Sequence, residues 1–146
     1  MSSDAPLTAR QLARVSSDLR LACMRISRRV RYEATHEVAP HQFSVLVRLE
    51  KGTATPGELA EIERVSKPSM TRTVARLVER GLIDRGPHPS DGRQVVLTLT
   101  RAGRHTLQTI RREREAWMAS RVARLTPHEQ RILADAEGIL SRVANE

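Results

Sequence analysis

Residues 66–82 read SKPSMTRTVARLVERGL. Ser66 suits a helix cap, and Gly81 suits the left-handed position that ends one. Between them Met70, Val74, Leu77 and Val78 recur at i, i+4, i+7 and i+8, the spacing of a core-facing stripe. Ser69, Arg72, Thr73, Arg76 and Arg80 fall at i, i+3, i+4, i+7 and i+11, on the opposite face. The pattern predicts a helix over residues 67–80 with one apolar side and one side of hydroxyls and guanidinium groups.

The flanking sequence gives this helix a context. Upstream, Thr55-Pro56-Gly57-Glu58 combines a capping hydroxyl, a first-turn proline and a glutamate that completes a capping box. It predicts a short helix to about Glu63, with Val65-Ser66 as the turn into the next. Arg64 stands where many such turns place glycine, so either the turn avoids positive φ or Arg64 is strained by about 1–2 kcal/mol. Downstream, residues 82–85 and 95–100 are strand-like, and in the second run Val95, Leu97 and Leu99 alternate with Val96 and Thr98. The polar segment of residues 86–92, rich in Gly and Pro, reads as the tip of a hairpin.

Farther out, residues 8–33 read as one long helix with an apolar stripe of Leu12, Val15, Leu19, Ala22, Ile26 and Val30. Its other faces carry Arg20, Arg25, Arg28, Arg29 and Arg31. Pro40 interrupts, and a shorter helix over residues 41–50 carries Phe43, Leu46, Val47 and Leu49. Two final helices follow the hairpin. Residues 101–125 place Leu107, Ile110, Trp117 and Val122 on one side, and a second capping box, Thr126-Pro127-His128-Glu129, opens the last helix. The expected fold is mainly α with a small β-hairpin wing. Its parts are residues 1–39 as an N-terminal dimerisation helix, 40–103 as a winged helix-turn-helix and 104–146 as C-terminal dimerisation helices.

Charge distribution points to a partner. The chain of 146 residues has a formal charge of +8, and most of it lies in one segment. Residues 64–104 hold nine basic residues (Arg64, Lys67, Arg72, Arg76, Arg80, Arg85, Arg93, Arg101 and Arg104) against Glu79, Asp84 and Asp91. Arginine can bond guanine O6 and N7 in the major groove, while Ser and Thr reach base edges or phosphates. Ser69, Arg72, Thr73 and Arg76 are therefore the candidates for base reading, and Lys67, Arg64 and Arg80 for phosphates. Arg93, on the hairpin tip, can enter the narrow and electronegative minor groove. A solvated basic face and a mobile surface arginine are the bland alternatives. Aromatic residues make up only 2% of the chain, which argues against a single-strand module that stacks bases.

At this point the residues resemble the MarR family of bacterial transcriptional regulators over most of the chain. Thr55-Pro56-Gly57-Glu58-Leu59-Ala60 looks like the family's T-P-x-E-L-A helix start, and residues 66–72 are similar to its recognition-helix opening. Leu77-Val78-Glu79-Arg80-Gly81-Leu82-Ile83 is similar to the exit L-x-x-x-G-L-[IV]. The pattern Asp91-x-Arg93-x-x-x-Leu97-x-Leu99-Thr100-x-x-Gly103 matches the wing signature at every specified position. The resemblance implies a homodimer whose terminal helices interlock and present two winged domains to a near-palindromic operator in double-stranded DNA. It implies that Asp91 braces the wing while Arg93 enters the minor groove. It further implies repression released by a signal, with a small-molecule effector pocket between the dimerisation helices and the winged domain. Arg25, Tyr32, His41 and Trp117 lie near that junction in sequence.

The apolar stripes of the flanking helices support pairing independently, since they exceed what a small winged domain can cover; packing within one chain is the alternative. A sequence-tolerant architectural DNA-binding protein and a helical protein-interaction module are the other functional classes left open. Other chemistry finds little footing. The histidines (His36, His41, His88, His105 and His128) show no metal-ligand spacing, and neither H-E-x-x-H nor G-x-S-x-G is present. No metal, no cofactor and no enzymatic activity is expected. Cys23 lies near the reactive cysteine of peroxide-sensing relatives, but the tyrosines that activate such a thiolate are represented only by Tyr32. Residues 1–10 lack the apolar core of a signal peptide, and no apolar run approaches the ~18 residues of a membrane span. A soluble cytoplasmic protein is the expectation.

Overall fold

Hydroxyl residues set where most of the helices begin. Thr8, Thr55, Ser66, Thr100 and Thr126 each accept the backbone N–H three residues on, satisfying a donor that has no partner inside the helix. In this computed structural model, residues 5–34 and 38–146 are described; His36 and the first four residues of the chain lie outside them. The elements run α1 (Ala9–Glu33), α2 (Pro40–Glu50), α3 (Pro56–Ile62), α4 (Lys67–Glu79), β1 (Ile83–Pro87), β2 (Val95–Leu99), α5 (Arg101–Val122) and α6 (Pro127–Asn145). Their order and types are those expected of a mainly helical chain with a two-stranded wing.

The core belongs to the winged segment. Leu46 of α2, Leu59 of α3, Leu77 of α4, Ile83 of β1, Leu97 of β2 and Leu107 and Ile110 of α5 are fully buried and join one cluster. α1 and α6 bury no residue, and α5 buries only residues in its first half. Leu12, Val15, Met24 and Ile26 of α1 are exposed, as are Ile132, Leu133, Ile139 and Val143 of α6. Of the stripe read along α1, Leu19 and Val30 are half-buried and Leu12, Val15, Ala22 and Ile26 are exposed, so most of it lies uncovered within one chain.

β1 and β2 pair antiparallel, with Ile83 opposite Leu99 and Pro87 opposite Val95. The first strand runs two residues farther than expected, through Gly86 and Pro87. Proline is tolerated there because β1 is the edge strand; the other side of β2 is taken by Ala54, which exchanges two backbone hydrogen bonds with Leu97. That bridge from the α2–α3 connection carries no sequence signal. Val95 was expected to share the face of Leu97 and Leu99 but is 41% exposed, while Val96, expected on the other face, is buried.

Two tight joints fix α4 at its two ends. After α3, Arg64 and Val65 donate to Glu61 O and Ala60 O; after α4, Gly81 and Leu82 donate to Val78 O and Leu77 O. Both are the paired bonds of a Schellman motif, which requires a left-handed residue. Gly81 supplies it with φ +69°, and Arg64 adopts φ +53°. Of the two possibilities left open for Arg64, the strained one is observed.

Candidate nucleic-acid interface

α4 presents an exposed face because its opposite side packs Met70, Val74 and Leu77 into the core. Lys67, Arg72 and Arg76 are exposed on it, and Ser69 is half-buried at its shoulder. Neither the Arg72 nor the Arg76 guanidinium has a hydrogen-bond or ion-pair partner among the described residues. Arg80 is exposed at the C-cap, and Arg64 is exposed in the turn before the helix.

One expected member of the face is placed differently. Thr73 is 7% exposed, and its hydroxyl donates to Ser69 O at 3.2 Å. A step from Arg72 to Thr73 turns the helix by about 100°, which carries Thr73 from the exposed face to the flank beside α2. A recess there, about 290 Å³, is lined by His41, Ser69, Arg72, Thr73 and Arg76. Thr71 takes the outward place instead: it is exposed, and its hydroxyl donates to Lys67 O at 2.9 Å. Spacing counted from Lys67 at i+4 could have found it. His41 could not have been placed from sequence, because it reaches the site from another helix.

The wing tip is held by Asp91. Its Oδ1 accepts from the Arg93 backbone N–H at 3.1 Å, its Oδ2 from Gln94 Nε2 at 3.2 Å, and its carbonyl from the Gln94 N–H at 3.0 Å. Arg93 is exposed. Asp91 thus stands where a brace would, and Arg93 follows it on the tip. At the root of the hairpin, the Thr100 hydroxyl donates to Gly81 O at 2.7 Å and accepts from the Gly103 N–H at 3.0 Å. The end of α4, the wing and the start of α5 are thereby tied to one another.

A second recess lies where α1, α2 and α5 meet. It holds about 380 Å³ and is lined by Arg31, Arg48, Lys51 and Arg114 with Phe43, Ser44, Val47 and Pro40. The Arg114 guanidinium stacks 3.9 Å over the Phe43 ring, and its buried Nε has no partner. Burial first and the charge of Arg31 second push the Arg114 pKa down. None of Arg25, Tyr32, His41 and Trp117, the residues that sequence placed near such a junction, lines it. Tyr32 lies with Cys23 on another part of α1. Trp117 donates from Nε1 to Glu33 at 3.3 Å under the guanidinium of Arg121. Among the described residues there is no cluster of side chains able to hold a metal ion, and no helix is long and apolar enough to cross a membrane.

Comparison with known proteins agrees with this architecture. The family model described as "MarR family" matches residues 38–95, the segment from the start of α2 to the start of β2. An HTH-type transcriptional regulator of Mycobacterium tuberculosis is 43% identical over 136 residues, covering 92% of this chain and 95% of the relative. A crystal structure from Pseudomonas aeruginosa, assigned as a transcriptional regulator, superposes with a TM-score of 0.76 at 30% identity. It covers 96% of this chain and 99% of that one. An S. aureus MepR mutant bound to an oligodeoxyribonucleotide shares the fold, with a TM-score of 0.68 at 17% identity, covering 88% of this chain and 97% of its own.

Proposed function

The chain belongs to the MarR family of HTH-type, DNA-binding transcriptional regulators, and from that premise we propose that it acts as a homodimer on a near-palindromic operator and represses transcription until a small molecule releases it. The observation that carries this reading is the pairing of two unpartnered arginines on the exposed face of α4 with Arg93 on a braced hairpin tip. A recognition helix in the major groove and an arginine in the adjoining minor groove together give sequence-dependent binding. In this reading Ser69, Arg72 and Arg76 contact bases or adjacent phosphates, Lys67, Arg64 and Arg80 contact phosphates, and Asp91 acts only through the wing. Thr73 supports the helix flank.

Exposure supports the dimer. Leu12, Val15 and Ile26 of α1 and Ile132, Leu133, Ile139 and Val143 of α6 are uncovered in one chain, and rows of exposed apolar side chains favour an interface over a free surface. A C2 dimer presents two copies of the winged segment, which matches a palindromic site. Division of the chain at residues 39 and 103 belongs to the same reading, with the flanking segments as dimerisation helices.

The cationic recess between α1, α2 and α5 supports the effector. Four basic side chains around one aromatic ring suit a small aromatic carboxylate, which would pair with Arg114 and lie against Phe43. Such a ligand would bear on α1 and α2 together, and so on the spacing of the two winged segments.

Competition binding tests the function. The purified protein is incubated with a labelled duplex that it has itself recovered from a random-sequence pool, with unrelated duplex in excess. Selective retention is expected. Uniform binding would favour an architectural protein, and no binding would favour a protein-interaction module; either result overturns the regulator.

A further inference from the structure

An imidazole organises the wing tip. His88, half-buried, follows Pro87 at the end of β1, and its backbone N–H donates to Gln94 O at 3.2 Å, closing the hairpin. Its Nδ1 accepts from two successive backbone N–H groups, Ser90 at 3.2 Å and Asp91 at 3.1 Å, with Ser90 Oγ at 3.3 Å. Backbone amides only donate, so Nδ1 carries a lone pair and the ring proton sits on Nε2. An imidazolium, protonated on both nitrogens, could accept neither bond. The same Asp91 whose N–H is held by His88 offers Oδ1 to the Arg93 N–H. Orientation therefore passes from His88 through Asp91 to Arg93.

We propose that His88 is a positioning residue for DNA binding: the neutral imidazole holds the wing tip in the form that presents Arg93, and protonation releases it, so the grip of the wing on duplex DNA weakens in acid. The proposal rests on the reading of the wing as a DNA-contacting element. The charged groups about His88 are Asp91 and Arg93 within the tip and Glu58 at the start of α3. Glu58 is held below the usual carboxylate range first by the Thr55 backbone N–H and, last among its causes, by the charge of His88. It offers a released imidazolium a carboxylate to turn toward.

Protonation also has an effect of the opposite sign. An imidazolium near phosphates adds attraction, which alone would tighten binding as the pH falls. The direction of the response therefore separates a positioning histidine from a phosphate-binding one.

The test compares wild type, His88→Asn and His88→Ala by fluorescence anisotropy on the labelled duplex recovered from the random pool, at constant ionic strength between about pH 7.5 and 5.5. Asparagine carries an amide oxygen on Cγ, where histidine carries Nδ1, and gains no proton in this range. Wild-type affinity should fall by at least about threefold on acidification, with one proton taken up by each of the dimer's two wings. His88→Asn should bind within about twofold of wild type at the upper pH and lose that dependence, whereas His88→Ala should be weak at both ends. In ¹⁵N-detected NMR the His88 ring should be the Nε2–H tautomer at the upper pH. A rise in affinity with acid that disappears in His88→Asn, equal binding by the Asn and Ala variants, or an Nδ1–H tautomer would overturn the proposal. Arg93→Ala serves as the control: if it binds like wild type, the reading of the wing fails, whereas weak Arg93→Ala with a pH-independent wild type sinks only the role of His88.

Discussion

Arg111 and Glu50 meet across α5 and α2 in a two-pronged ion pair, with Nη1 to Oε1 at 2.9 Å and Nη2 to Oε2 at 2.7 Å. The hydrogen bonds from Arg111 hold the Glu50 pKa below the usual carboxylate range, and those to Glu50 raise that of Arg111. The Arg111 side chain is 42% exposed and that of Glu50 31%, so solvent screens much of the attraction, and the pair is worth about 0.5–1 kcal/mol. Because the folded-state pKa of Glu50 is depressed, the contribution is complete above the unfolded carboxylate range and is lost as pH falls through the folded value. Glu50→Gln should lower stability to denaturant by about that amount at neutral pH, and the gap from wild type should close in acid. A gap that widened in acid would contradict this assignment.

Gly103 is a matter of room. A Cβ built there would run into the carbonyl oxygen of Leu82 and lie 2.5 Å from Leu99 Cδ1. Gly103→Ala should therefore push α5 off the root of the wing and cost about 1–3 kcal/mol, read as a drop in the thermal midpoint. The glycine of the wing signature acts here through packing.

Arg64 couples stability to binding. Replacing it by glycine relieves the left-handed strain at φ +53° and should stabilise the fold by about 1 kcal/mol in chemical denaturation. The same change removes a cation next to α4. Affinity for the recovered duplex should fall, and the slope of log K against log salt should become shallower by about one phosphate contact per protomer. Unchanged affinity would remove Arg64 from the interface.

Thr73 and Arg72 should behave differently although they are adjacent. Arg72→Ala should weaken binding to the recovered duplex by about 1–3 kcal/mol with relaxed preference. Thr73→Val should leave both affinity and preference near wild type, since its hydroxyl is turned onto Ser69 O. Loss of base discrimination in Thr73→Val would return that side chain to the reading face.

Benzoate is a direct probe of the recess beside Phe43. It should displace the protein from DNA at millimolar concentration or below, and Arg114→Ala should remove the effect while leaving DNA binding itself intact. Displacement that survives Arg114→Ala would place the ligand elsewhere.

The sequence by itself determined the elements and the basic helix face of this protein, because both are written in local chemistry. Hydroxyl–proline starts, Gly81 and the spacing of Met70, Val74 and Leu77 set the bounds of α4, and arginines crowd the opposite face. Tertiary structure decided what depends on a neighbour from elsewhere in the chain. Thr73 is buried because α2 lies beside it, and Ala54 caps the sheet edge because the α2–α3 connection reaches β2. His88 reads as one more polar residue of a turn until two backbone amides are found aimed at its Nδ1. Helical periodicity reports which side of a helix is apolar, but a side chain at the boundary belongs to whichever element packs against it, and only the folded chain supplies that element.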